Sequence, residues 1–224
     1  MTRWYTEKKK EHFYKEAKRT GYRARSAFKL QQIQVRFNLI PKNGIVVDLG
    51  AAPGGWSQVA KELVGEQGTV IGADLSSIQP LENIQFIQGD ITQAETVERI
   101  KDLMNRRSAD VVLSDMSPDI SGCYSVDQAR SAWLCECALH VVDQVLRPGG
   151  HFICKIFEGE DTKEFIEKVK HRFMVVKTFS PEASRKSSSE VYIIAKSFKK
   201  PYKNYGDSFE HTDERVYYIG VDIS

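Results

Sequence analysis

The chain has 224 residues, of which 41% are hydrophobic and 28% charged, with a formal net charge of +2. That composition fits one globular domain with a substantial core and excludes an intrinsically disordered chain. No apolar run approaches the roughly 18 to 20 residues of a membrane span, and the N-terminal stretch lacks the apolar core of a signal peptide, so a cytoplasmic protein without membrane association is expected.

The charge is unevenly spread. Residues 1 to 29 hold ten Lys/Arg against three acids, leaving 22 against 27 for the remainder. Trp4, Tyr5, Phe13, Tyr14, Tyr22 and Phe28 are interleaved with these cations. Such an arm can neutralise phosphates and stack on bases, although charge alone allows a solvated basic helix equally well. Three segments are expected: a basic helical arm over 1–40, a core over 41–199 and a tail over 200–224.

"GIVVDLG" (44–50) reads as a short buried strand, and "SQVAKELV" (57–64) after its glycine turn reads as a helix. "GTVIGAD" (68–74) and "NIQFIQGD" (83–90) are further apolar runs, each closing on an aspartate. "AETVERIKDLMNRR" (94–107) is amphipathic, and "ADVVLSD" (109–115) is a fourth strand ending in Asp. The apolar positions of residues 127–146 recur at three and four, which predicts a long helix stopped by "RPGG". "HFICKIF" (151–157) follows as a strand, residues 161–173 as a helix with Asp161 at its start, and "MVVKTFS" (174–180) and "EVYIIAKSF" (190–198) as closing strands.

Strands alternating with helices predict a three-layer α/β fold with a mainly parallel sheet. The last two strands are joined by a stretch too short for a crossover helix, so they are expected to be antiparallel neighbours. A strand running against the others begins where they end. Glu190, first in its strand, should therefore share the rim that carries Asp48, Asp74, Asp90 and Asp115, the edge where open α/β sheets bind ligands.

"DLGAAPGGW" (48–56) resembles two better-known glycine loops without matching either. The dinucleotide pattern needs a glycine at position 52, which is Ala52, and the P-loop needs a lysine where Trp56 stands. Asp74 lies about where an acid can accept both hydroxyls of a ribose, and Asp90 where an adenine amino group can donate. A ligand with adenine, ribose and a positive centre but no pyrophosphate fits these acids, and S-adenosylmethionine is one. Taken singly, each Asp is an ordinary loop residue.

Seven stretches then resemble the FtsJ/RrmJ ribose 2'-O-methyltransferases: "GYRARSAFKL" (21–30), "VVDLGAAPGGWSQVA" (46–60), "DLSSI" (74–78), "GDIT" (89–92), "LSDMSPDISG" (113–122), "LRPGGHFICKIFEG" (146–159) and "SSSEVYIIAKSF" (187–198). The resemblance covers residues 11 to 199. It implies a Rossmann-like methyltransferase fold, with a seven-stranded, mostly parallel sheet between helical layers and one antiparallel strand. It also implies a Lys-Asp-Lys-Glu catalytic set, carried by Lys29, Asp115, Lys155 and Glu190, and S-adenosylmethionine contacts at Gly54, Trp56, Asp74, Asp90 and Asp115. By the same resemblance the substrate is RNA: a uridine ribose of large-subunit rRNA, free or in the ribosomal subunit, or alternatively a tRNA anticodon-loop ribose. A monomer is expected.

The residues' own patterns weigh against some of this. Lys29 shares a helical face with Arg25, Gln32 and Arg36 and reads as a solvated lysine, and Glu190 can simply begin a strand. Lys155 has the strongest local case, because it interrupts an apolar strand where burial can lower its pKa toward the range of a general base; acids beside it would oppose that shift. Whether it reacts neutral or charged stays open at this level.

Other chemistries fit less well. "SDMSPD" lacks the paired prolines and aromatic of an amino-group methyltransferase loop, and the basic aromatic arm disfavours a small-molecule substrate. The five histidines, His12, His140, His151, His171 and His211, are scattered, and Cys123, Cys135, Cys137 and Cys154 form no CxxC. No metal is expected, and the thiols are expected reduced and mostly packed. A noncatalytic RNA-binding protein of this fold is the alternative from another class. In the tail, "RVYYIGV" (215–221) could add a strand.

Overall fold

The computed structural model describes residues 16–184, apart from residue 18, and residues 189–199. Trp4, Tyr5, Phe13 and Tyr14 of the arm, residues 185–188 of the loop before Glu190 and the tail with its candidate strand lie outside the described residues. In chain order the elements are α1 (Ala27–Phe37), β1 (Ile45–Leu49), α2 (Gly55–Val64), β2 (Thr69–Asp74), β3 (Gln85–Gln88), α3 (Ala94–Leu103), β4 (Ala109–Ser114), α4 (Tyr124–Val145), β5 (Leu146–Phe157), α5 (Thr162–Arg172), β6 (Phe173–Phe179) and β7 (Glu190–Phe198).

One seven-stranded sheet runs in the order β3-β2-β1-β4-β5-β7-β6. All its strands are parallel except β7, which pairs antiparallel with both β5 and β6. The strands β1 and β4 are buried almost throughout, as parallel strands covered by helices on both faces must be.

Alternation along the strands sorts the core into two halves. Val47, Ile71, Val112, Phe152 and Ile193 face α3, α4 and α5, while Val46, Val70, Val111, Ile153 and Ile194 face α1 and α2. Ala27, Leu30 and Ile33 of α1, spaced three apart, and Trp56, Val59 and Ala60 of α2 complete the second half.

Two boundaries differ from the sequence reading. The long helix starts at Tyr124, three residues before the expected start, which the pattern missed because the first turn is exposed and leaves no apolar periodicity to read. "RPGG" stops that helix but is absorbed into β5: the register jumps from Ala109↔Leu146 to Val111↔His151, so the intervening residues bulge out of the ladder. The Arg147 Nε bonds Asp110 Oδ1 at 2.7 Å, and Asp110 Oδ2 accepts from the Ile45 amide at 2.7 Å, which ties the bulge to the start of β1.

Candidate active site

The strands β1, β2, β4, β5 and β7 bring their charged residues to one face of the rim by parity alone. Asp48 follows Val46 by two residues, Asp74 follows Val70 by four, Asp115 follows Val111 by four and Lys155 follows Ile153 by two, so all point toward α1 and α2. Register sets their height. Ser114 pairs with Cys154, which puts Asp115 level with Lys155; Lys155 pairs with Tyr192, and Glu190 stands opposite Phe157 one step higher. The helix α1 then lowers Lys29 onto this row.

The four expected catalytic residues do come together, as two ion pairs. The Lys155 Nζ donates to the Asp115 main-chain carbonyl at 2.7 Å and lies 3.3 Å from Asp115 Oδ1. Lys29 donates to Glu190 Oε1. Tyr192 joins the pairs: its hydroxyl donates to Asp115 Oδ1 at 2.8 Å, and Lys29 Nζ sits 5.6 Å from its ring centroid. Lys29 and Lys155 are each only 6% exposed. The reading of Lys29 as a solvated lysine is thus overturned. The helix α1 packs on the sheet through Ala27, Leu30 and Ile33, and the lysine at its edge is drawn inward to a buried carboxylate.

Burial pushes the Glu190 carboxyl up, but the charge and hydrogen bond of Lys29 outweigh it and leave the group below its usual range. Burial, then the charges of Asp115 and Glu190, hold the Tyr192 phenol well above its ordinary value, so it stays a donor. The buried Cys135 donates to the Lys155 carbonyl at 3.0 Å, pinning β5 from the opposite layer.

Beside the tetrad lies the glycine turn between β1 and α2. Gly50 has φ 71° and Gly54 φ 112°, conformations that side chains rarely adopt. A Cβ on Gly50 would stand 2.4 Å from Met116 Cγ, so this glycine also lets the residue after Asp115 close over the turn. Asp74 accepts from the Ala52 amide at 2.9 Å through Oδ2 and from the Ser76 amide at 2.8 Å through Oδ1. Each oxygen keeps a further lone pair for a ligand. Asp90, beyond β3, accepts from the Thr92 amide at 2.9 Å and lies farther along the same rim.

Asp48 is fully buried beneath the turn. Its Oδ2 accepts from Ser57 at 2.6 Å, while Oδ1 has no hydrogen-bond partner. Burial, opposed by the Ser57 bond and reinforced by the charges of Asp115 and Asp74, pushes its pKa up to about 7. Above it, Asp74 and Asp115 give the turn an acidic lining, which suits a cationic ligand carrying vicinal hydroxyls and opposes a polyphosphate.

Trp56 is placed differently from a side-chain cofactor contact. It is buried, its indole N–H donates to the Ser26 carbonyl at 2.9 Å, and its ring stacks on Tyr192 at 5.6 Å. Only its main chain, at the start of α2, is left to face a ligand in the turn. The stretch 21–26 is sewn to α2 in the same manner: Gln58 accepts from the Arg23 amide and donates to the Gly21 carbonyl, and Tyr22 donates to Glu62 at 2.6 Å. The Arg23 guanidinium bonds the carbonyls of Pro53, Gln79 and Pro80, clasping the glycine turn to the loop after β2.

Three of these roles escaped the sequence reading. Tyr192 sits two residues after Glu190 and shares its parity, which was a usable signal. Asp48 was visible as a strand end. Arg23 carried none, since a cation in a basic arm looks like a phosphate contact. Cys135, Cys137 and Cys154 are buried free thiols and Cys123 is exposed. Among the described residues no group of His, Cys, Asp and Glu could hold a metal ion, and no helix is long and apolar enough to cross a membrane.

Residues 22–198 match the model of the FtsJ-like methyltransferase family. The chain is 47% identical, over 96% of its length and 83% of the relative's, to a protein of Methanothrix thermoacetophila named ribosomal RNA large subunit methyltransferase E. Proteins of the same name from Methanobrevibacter smithii and Marinobacter nauticus are each 44% identical, covering 91% and 88% of this chain and 97% and 95% of their own. A crystal structure of a ribosomal RNA methyltransferase from Plasmodium falciparum superposes with a TM-score of 0.73 at 30% identity, over 79% of this chain and 98% of that one.

Proposed function

Because the chain belongs to the FtsJ-like methyltransferase family, we propose that it transfers a methyl group from S-adenosylmethionine to a ribose 2'-OH of large-subunit ribosomal RNA, with Lys155 as the central catalytic group. The names of its relatives support the substrate. The observation that carries the chemistry is the buried Lys155 Nζ, held by Asp115 at the ligand-binding end of β5.

The residues around the glycine turn fit the cofactor. Asp74 would accept from the ribose hydroxyls, Asp90 from the adenine amino group, and Asp115 would balance its positive charge across the turn that Gly50 and Gly54 allow. When bound, S-adenosylmethionine supplies an electrophilic methyl carbon on a sulfonium sulfur.

The chain's own task is to place the hydroxyl and manage its proton, and placement alone can remove about 7 to 11 kcal/mol of barrier. Two directions around Lys155 Nζ are taken by the carbonyl and carboxylate oxygens of Asp115. A neutral amine has two N–H bonds for those oxygens and turns its lone pair outward, where it can accept the 2'-OH proton. An ammonium in the same place turns a third N–H outward and orients the hydroxyl instead. Tyr192 holds Asp115 in either case, and Lys29 keeps the Glu190 charge occupied.

The test is transfer of tritiated methyl from S-adenosylmethionine to large-subunit RNA from a strain lacking the enzyme, with tRNA in parallel, followed by mapping of the modified ribose. Label in large-subunit RNA that disappears with Lys155→Ala, while that variant still binds cofactor, is the expected result. Undiminished transfer by Lys155→Ala would remove the lysine from its role, and label in tRNA alone would replace the substrate.

A further inference from the structure

The rim has an apolar lip on the side away from the arm. Tyr124 opens α4 and is 62% exposed; Ile120, in the segment linking Asp115 to that helix, is 66% exposed. Ile120 lies in the segment that leaves Asp115, and Tyr124 in the first turn of the helix that follows, yet neither packs into the core. The Tyr124 ring is nonetheless fixed, since its hydroxyl donates to the Glu158 carbonyl at 3.2 Å, and Gln128 donates to the same carbonyl. Ser121 is fastened in turn, its amide and hydroxyl both bonding Asp127 Oδ1 at 2.8 and 2.7 Å. Glu158 is three residues past Lys155, about 10 Å along an extended chain, so Tyr124 is tethered to the same strand end that carries Lys155.

The charges around this lip say which part of a nucleotide it can take. The acids nearest these residues along the chain, Asp119, Glu158, Glu160 and Asp161, outnumber the cations Arg130 and Lys163, whereas Arg19, Arg25 and Arg36 belong to the arm; such an excess disfavours a phosphate. An exposed aromatic ring in acidic surroundings suits the uncharged face of a base.

We propose that Tyr124, four residues after the exposed Ile120, is the stacking platform for the base of the nucleotide whose ribose is methylated, and so a substrate-positioning residue. The proposal rests on the RNA 2'-O-methyltransferase reading above. The strand then crosses the rim with its backbone toward the arm, its ribose at Lys155 and its base over α4.

Steady-state kinetics on the RNA methylated by the wild-type enzyme tests this, alongside the same RNA made with an abasic ribonucleotide at the methylated position. Tyr124→Ala should raise the RNA KM about 5- to 100-fold, the range of one base–aromatic stack, with cofactor affinity unchanged. Tyr124→Phe, which keeps the ring, should stay within about twofold of wild type. The abasic RNA should lose as much with wild type as the intact RNA does with Tyr124→Ala, and combining the two should cost nothing more. Additive losses, or an unchanged KM for Tyr124→Ala, would overturn the platform while leaving the methyltransferase reading intact. A wild-type enzyme that methylates no RNA would overturn both.

Discussion

Tyr192 and Lys155 meet on a single oxygen: the phenol donates to Asp115 Oδ1 at 2.8 Å, and the Lys155 Nζ lies 3.3 Å from the same atom. The two residues are register partners on β5 and β7, so the antiparallel strand supplies a second donor to the carboxylate that aims the lysine. Tyr192→Phe removes that donor and nothing of the ring stack on Trp56. The Asp115 carboxylate should then be free to rotate, lowering kcat by roughly tenfold, which corresponds to about 1.4 kcal/mol. Cofactor affinity measured by calorimetry should hold. An unchanged kcat would show that Lys155 alone keeps Asp115 in place.

The second pair responds to charge removal. Lys29 and Glu190 have side chains 7% and 12% exposed, and deleting one partner of a buried pair costs about 3 to 5 kcal/mol because the other charge is stranded. Lys29→Met should therefore destabilise the fold near neutral pH by about that amount. In the wild type the Glu190 pKa is depressed, so its stabilising contribution is present above the unfolded carboxylate value and lost as pH falls through the folded one. The variant's deficit should accordingly close in acid, as Glu190 takes a proton. Denaturant melts at pH 4 and pH 7.5 would show it, and a deficit equal at both would rule out the ion pair as its cause.

Asp48 shifts the opposite way. Its folded pKa of about 7 lies above the ordinary carboxylate value, so its contribution is full below that ordinary value and is lost as pH rises through about 7. Between those limits the wild type should weaken with rising pH, by an amount that Asp48→Asn, always neutral, does not lose. Thermal melts from pH 5 to pH 8.5 should therefore show the variant gaining on the wild type toward alkali. Parallel curves would mean that Asp48 stays ionised throughout.

These pairings also show where the sequence was informative. Strand parity, the short β6–β7 connection and the aspartates closing each strand were readable because period and connection length are local properties, and they placed Glu190 and Asp115 on the same rim. Lys29 was not readable. Its burial depends on which face of α1 meets the sheet and on a carboxylate 161 residues away. Trp56 shows a second limit: its place in the glycine turn was readable, but not that its ring turns inward to Ser26 and Tyr192 and leaves only its main chain facing the turn.

Arg23 connects the basic arm to the glycine turn between β1 and α2. Its guanidinium spends its donors on three main-chain carbonyls, Pro53 in the turn and Gln79 and Pro80 in the loop after β2, with Nη2 to Pro80 at 2.8 Å. A planar fork can span carbonyls from two segments, whereas an ammonium cannot hold the same geometry. Arg23→Lys keeps the arm's charge, so a residue acting only on phosphates should tolerate it. If the clasp is its function, the variant should bind S-adenosylmethionine about tenfold more weakly, or about 1.4 kcal/mol, and the amides of residues 75–84 should exchange faster with solvent. RNA affinity should change little. Intact cofactor affinity together with a weakened, less salt-dependent grip on RNA would assign Arg23 to the phosphate backbone instead.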